Sequence, residues 1–140
     1  MNIEIRSMCL SLSIGTLFLI SSNAFSGISV IVHPDNANTL SPSEISRIFL
    51  GKKRSFPDGS ESVAVDQAEG SDIRKTFVSG VLKKNEQQIK AYWAQLLFTG
   101  KGTPPQESMD VKSLIAENPS FIGYIDSSKA DSSVKVIHTF

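Results

Sequence analysis

From residue 27 onward the hydrophobic positions switch repeatedly between unbroken runs, alternation and helical spacing, and each regime predicts an element. Ile28-Ser29-Val30-Ile31-Val32 is β-branched and stops before Pro34, as a buried strand would. Ser41-Pro42-Ser43-Glu44 then supplies a capping Ser, a Pro at the first helical position and a Glu at the third. Ile45, Ile48 and Phe49 repeat on one helical face, Leu40 is placed to staple onto Ile45, and Gly51 gives the stop. Pro57-Asp58-Gly59-Ser60 reads as a turn, and Ser62 to Asp66 alternates into a second strand with Val63 and Val65 facing one way. A second helix begins at Gly70-Ser71 and carries Ile73, Phe77, Val78, Val81 and Leu82. The third runs from Asn85 to Phe98, capped by Asn85 with Gln88, its face built from Ile89, Tyr92, Trp93, Leu96 and Leu97. Gly100, Gly102, Pro104 and Pro105 break it, and a short fourth helix spans about Met109 to Glu117. Phe121 to Ile125 and Val134 to Ile137 close the chain as strands. The expected order is strand, helix, strand, three helices, two strands: an α/β layer structure whose strand order the pattern leaves open.

The first 26 residues follow a different rule. The stretch from Met8 to Ile20 is apolar, interrupted by Ser, Thr and Gly. It falls short of the roughly 20 apolar residues of a membrane span but suits the about 7–15 of a secretory h-region. Ser22-Asn23-Ala24 and Ala24-Phe25-Ser26 both present small residues for cleavage, leaving about 114 to 116 residues. The sequence is therefore expected to divide into a signal peptide, 1–26, with an uncleaved anchor as the alternative, and one domain, 27–140, exported to the periplasm. The single Cys, Cys9, lies within the h-region, so the exported domain has no disulfide and holds together by its core.

Composition narrows the function. Lys and Arg number 14 and Asp and Glu 14, for zero formal charge, so the field that draws proteins to nucleic acid is absent. Lys52-Lys53-Arg54 is a local basic stretch, either a solvated corner or an interaction patch. His33 and His138 have no Cys, Asp or Glu at metal-ligand spacing. There is no nucleophile elbow, and Gly100-Lys101-Gly102-Thr103 runs into prolines instead of opening a helix as a Walker loop does. No enzyme, cofactor or metal is expected. One segment does suggest chemistry. From Val63 to Phe77 a strand passes through a polar turn into a helix whose first amides are unpaired, an arrangement suited either to an oxyanion or to a plain cap at Ser71.

Leu40-Ser41-Pro42-Ser43-Glu44-Ile45-Ser46-Arg47-Ile48-Phe49-Leu50-Gly51-Lys52 resembles a segment of the phosphate-binding proteins of ABC transporters, members of the type 2 periplasmic binding proteins. Asn118-Pro119-Ser120-Phe121-Ile122-Gly123-Tyr124-Ile125 is similar to that family's Pro-Gly-Ile-Gly-Tyr-Val segment. Trp93 and the run from Phe98 to Pro105 fit a short, single-lobe branch of the same family. The resemblance implies one lobe of that fold, a small mixed sheet flanked by helices, and a substrate-binding protein for phosphate or another small anion associated with ABC-type transport.

In that family a turn reading Arg-Ser-Asp-Gly-Ser-Gly-Thr holds phosphate, and the matching turn here departs from it. Gln67 stands in place of the Arg, Asp72 of the second Gly and Ile73 of the Thr, while Gly70 and Ser71 are kept. A charge-assisted hydrogen bond is worth about 1.5–3 kcal/mol, so Gln for Arg lowers affinity by about one to two decades. Asp72 favours its helix but repels an anion. Arg74 is either a replacement cation or the ion-pair partner of Asp72 or Glu69. The expected ligand set is Gln67, Glu69, Gly70, Ser71, Asp72 and Arg74, with Gly102 and Thr103 as a facing loop. One lobe gives one wall, so a second copy or another protein would complete an enclosed site. A reading from another class keeps the fold without phosphate: a periplasmic interaction or signalling module whose partner is a membrane transporter or sensor component.

Overall fold

The computed structural model describes residues 27–140, so the expected signal peptide and its cleavage sites lie outside the described residues. The elements are β1 (Ile28–Val32), α1 (Pro42–Phe49), β2 (Val63–Gln67), α2 (Asp72–Gly80), α3 (Glu86–Phe98), β3 (Gln106–Ser108), α4 (Val111–Glu117), β4 (Phe121–Asp126) and β5 (Lys135–Thr139), with a short 3-10 turn at Ser127–Lys129. They form one mixed sheet in the order β3-β2-β4-β1-β5. β2 is parallel to both β3 and β4, whereas β1 is antiparallel to β4 and β5. β3 is an addition to the expected order. Its three residues, Gln106, Glu107 and Ser108, carry no hydrophobic pattern and are held by backbone pairing to Val65, Asp66 and Gln67.

Both faces of the sheet are covered, which explains the unbroken apolar runs of its central strands. Val30 and Val32 of β1 and Ile122 and Tyr124 of β4 pack against α1, α2 and α3, through Ile45, Phe49, Phe77, Ile89 and Trp93. Ile31, Val65 and Ile125 face the other way, onto Val111 and Ile115 of α4. Gly123 makes that second contact close: a Cβ there would lie 2.6 Å from Val111 Cγ1 and 3.2 Å from Ile115 Cδ1. On the first face Phe77 stacks on Tyr124 with ring centroids 3.7 Å apart, and Phe49 meets Phe77 edge-on at 4.8 Å, tying α1, α2 and β4 together.

Two helices begin as their sequences prescribe. Ser41 accepts from the Glu44 amide while Glu44 accepts from the Ser41 amide, and Asn85 and Gln88 do the same for α3. Gly51, at φ +69°, ends α1 and leaves room for Trp93, whose ring would lie 2.9 Å from a Cβ at that position. Tyr92 donates to the Leu50 carbonyl at 2.6 Å, fastening α3 to the end of α1. The apolar face of α3 is narrower than expected: Leu96 packs against the core, but Leu97 is exposed and Phe98 almost fully so. α4 begins at Val111 rather than Met109, since Asp110 caps it by accepting from the Ser113 amide at 3.2 Å, leaving Met109 outside and exposed.

Candidate functional site

The three parallel strands end on the same side of the sheet, and each feeds a helical start. β2 leads through 68–71 into α2, β3 through Met109 and Asp110 into α4, and β4 directly into the turn at Ser127–Lys129. Open α/β sheets bind ligands outside this carboxyl edge, where helix amides and positive dipole ends converge. A crevice of about 330 Å³ lies there, lined by Gln67, Ile73, Met109, Asp110, Lys112, Asp126 and Lys129 among others.

The three helical starts differ in what occupies them. Asp110 caps α4 and also accepts from the Ser113 hydroxyl at 2.7 Å. Asp126 caps the 3-10 turn through the Ser128 amide and hydroxyl, at 2.9 and 2.8 Å. These two starts are filled by the protein's own carboxylates. α2 has no side-chain cap, because the Ser71 hydroxyl turns back to donate to the Ala68 carbonyl at 2.7 Å. The amides of Asp72, Ile73 and Arg74 thus find no acceptor among the described residues, the first helical bond being Lys75 to the Ser71 carbonyl. Asp72 is exposed and does not fold back over them.

The remaining expected residues are dispersed around this turn. Gly70 sits at φ +81°, and nothing lies within 4 Å of a Cβ built there, so its requirement is conformational. The Gln67 side chain donates to the Tyr124 carbonyl at 2.7 Å, latching β2 to β4 where it lines the crevice. Glu69 pairs with Lys90 of α3, and that hydrogen bond holds its carboxyl below the usual range. Gly102 packs on Leu96 and Trp93, and Thr103 lines a cavity with Ser62 and Gln106 at the start of β2 and β3, the opposite end of these strands from Ser71.

Arg74 is buried, and its partners are neither Asp72 nor Glu69. Its Nη1 donates to Glu107 Oε1 of β3 at 2.7 Å, and its Nε lies 3.5 Å from Asp66 Oδ2 and 3.8 Å from Glu86 Oε2. The Tyr124 hydroxyl donates to the other Asp66 oxygen. Burial raises the Asp66 carboxyl, opposed by the Tyr124 hydrogen bond and the Arg74 charge. Burial also pushes the Tyr124 hydroxyl strongly up, and Asp66 adds to it. For Arg74, burial opposes the charge, but Asp66, Glu107 and Glu86 outweigh it and keep the guanidinium protonated. One cation facing three carboxylates forms a cluster of net negative charge that disfavours an incoming anion, although its buried Nε makes no hydrogen bond. Sequence reasoning missed this set because Glu107 sits on the unpatterned strand and Asp66, Glu86 and Arg74 share no spacing.

Two other cations line the crevice. Lys112 is engaged by Asp131 Oδ2 at 2.7 Å, a contact that holds the Asp131 carboxyl far below its usual range. Lys129, one turn beyond β4, makes no side-chain ion pair among the described residues. No group of three or more His, Cys, Asp and Glu suited to a metal ion occurs among the described residues.

No family model matches the chain, and no curated protein matches its sequence. Solved structures do. A chain from Clostridium perfringens assigned as a phosphate ABC transporter substrate-binding protein, solved with bound phosphate, matches with a TM-score of 0.60 and 26% identity over 79% of this chain and 44% of its own. An ABC-type phosphate transport receptor from Vibrio cholerae matches with a TM-score of 0.61 and 17% identity, over 79% and 45%. PstS from Borrelia burgdorferi gives 0.57 and 14%, over 79% and 46%. The chain thus spans less than half the length of these structures. Its five-stranded mixed sheet and four helices have the fold of one lobe of a phosphate ABC-transporter substrate-binding protein.

Proposed function

We propose that the chain is a secreted, single-lobe substrate-binding module that takes a small oxyanion such as phosphate, weakly, at the start of α2. The observation that carries this reading is the uncapped amide group of 72–74 at the carboxyl edge of three parallel strands. Three amide hydrogen bonds of about 1 kcal/mol each and a helix-end contribution of up to about 1 kcal/mol amount to a dissociation constant near 1 mM. Arg74 adds nothing to this figure, being consumed by Asp66, Glu86 and Glu107. Micromolar capture would need a second wall, from another copy of the chain or from a transporter component. In this role the module works outside the cytoplasm beside ABC-type phosphate transport, as the transporter receptors it resembles suggest.

Calorimetric titration of the purified chain with inorganic phosphate tests the reading. Binding in the millimolar range is expected, and Arg74→Gln should weaken it wherever that variant stays folded, because loss of the guanidinium leaves Asp66, Glu86 and Glu107 uncompensated near the helix start. Absence of heat at millimolar phosphate would remove the ligand.

The carboxylates around Arg74 and the exposed Asp72 favour a second reading, in which the same fold serves as an interaction or signalling module without phosphate. Its partner would be a membrane transporter or sensor component. A chain that shows no phosphate heat but is retained by such a component would support it.

A further inference from the structure

A second cavity, of about 450 Å³, lies at the amino end of β2 and β3, the far end of these strands from the crevice. Its walls include Trp93, Pro104 and Pro105, with Arg54 and Glu61 among its polar lining. The backbone brings the two residues onto neighbouring strands of one short antiparallel bridge: the Ser62 amide donates to the Arg54 carbonyl at 3.0 Å, and Ser55 bridges Glu61. Yet neither is within ion-pair reach of an opposite charge among the described residues, each other included. Ser62 also lines the cavity and is buried, and its hydroxyl has no hydrogen-bond partner among the described residues. An unpaired buried hydroxyl is costly, and rotation about χ1 offers it to a ligand without breaking an existing bond.

We propose that this cavity is a second ligand site, for a zwitterion of the amino-acid class with an apolar side chain. Glu61 argues against a polyanion and Arg54 against a purely apolar guest. A carboxylate on Arg54, an ammonium on Glu61 and an apolar body on Trp93 and the two prolines match the two unpaired charges and the apolar walls, while Lys53, also in the lining, is already paired with Glu44 at 3.3 Å. The volume falls within the roughly 300–1,000 Å³ of small-molecule sites. Phosphate at the start of α2 and a zwitterion here occupy opposite ends of the sheet, so the two sites stand or fall separately.

Trp93 is the one tryptophan of the sequence, so its fluorescence reports this cavity directly. The full chain would be titrated with L-leucine and L-phenylalanine, and with phenylpropionate and phenethylamine, which lack the ammonium and the carboxylate respectively. Saturable change is expected with both amino acids at millimolar concentration, and weaker binding of both analogues. Arg54→Gln should weaken phenylalanine by about tenfold or more, as loss of a charge-assisted hydrogen bond does. Glu61→Gln should weaken phenylalanine but leave phenylpropionate unchanged. Both side chains are exposed, so both variants keep the fold, which an unaltered circular dichroism spectrum checks. No saturable change with either amino acid, phenylalanine binding undiminished in either variant, or phenylpropionate binding as tightly as phenylalanine would overturn the assignment.

Discussion

Around Arg74 the negative charges outnumber the positive one, so its loss leaves buried carboxylates uncompensated. Arg74→Met should cost about 3 kcal/mol, the lower end for a broken buried pair, because Glu107 is half exposed and solvent screens that contact. Urea denaturation at neutral pH checks it. Asp66 gives the cluster a pH dependence of definite sign. Burial raises its folded pKa above the unfolded one, so the folded chain takes up the proton first. Its contribution to stability therefore grows as pH falls through the folded value, and is complete below about 3.9, the unfolded value. Exposed carboxylates such as Glu69 and Asp110 are shifted down and act in the opposite sense. Comparison with Asp66→Asn isolates the one group: the stability difference, variant minus wild type, should shrink as the pH is lowered from 7 towards 4. A difference independent of pH would show that Asp66 does not titrate abnormally.

The three principal helices begin in two ways, and stability should separate them. Ser41→Ala removes half of a capping box and should cost about 1 kcal/mol. Ser71→Ala removes only a hydroxyl bonded to the Ala68 carbonyl and should cost about half as much or less. Thermal melts of the two variants make the comparison. On the opposite face, Gly123→Ala drives a methyl into Val111 and Ile115 and should cost about 1–3 kcal/mol, by overpacking α4 against β4. Capping boxes at Ser41 and Asn85 and the β-branched run of β1 were legible in the sequence because each is a local pattern with a local physical cause. β3 was not, because Gln-Glu-Ser forms a strand only through the backbone of β2. Nor was the fate of the Ser71 hydroxyl, which depends on whether the preceding turn offers it a carbonyl. The polar turn itself was visible, but the burial of Arg74 among residues from β2, β3 and α3 is a tertiary fact with no sequence period.

At the scale of the whole molecule, one sheet presents two ends with different chemistry. The carboxyl edge gathers helical starts, two of them closed by Asp110 and Asp126 and one left open at α2. The described residues give the crevice a single wall, so the affinity of this unit for an anion should be low. The most direct test of the open helix end is an amide-resolved NMR titration with inorganic phosphate, run on the wild-type chain and on Ser71→Asp. A carboxylate at position 71 would cap the free amides, raising stability by about 0.5–2 kcal/mol while excluding the anion. The account predicts saturable shifts centred on the amides of Asp72, Ile73 and Arg74 in the wild type, abolished in the more stable variant. Shifts centred elsewhere, or undiminished in Ser71→Asp, would contradict it.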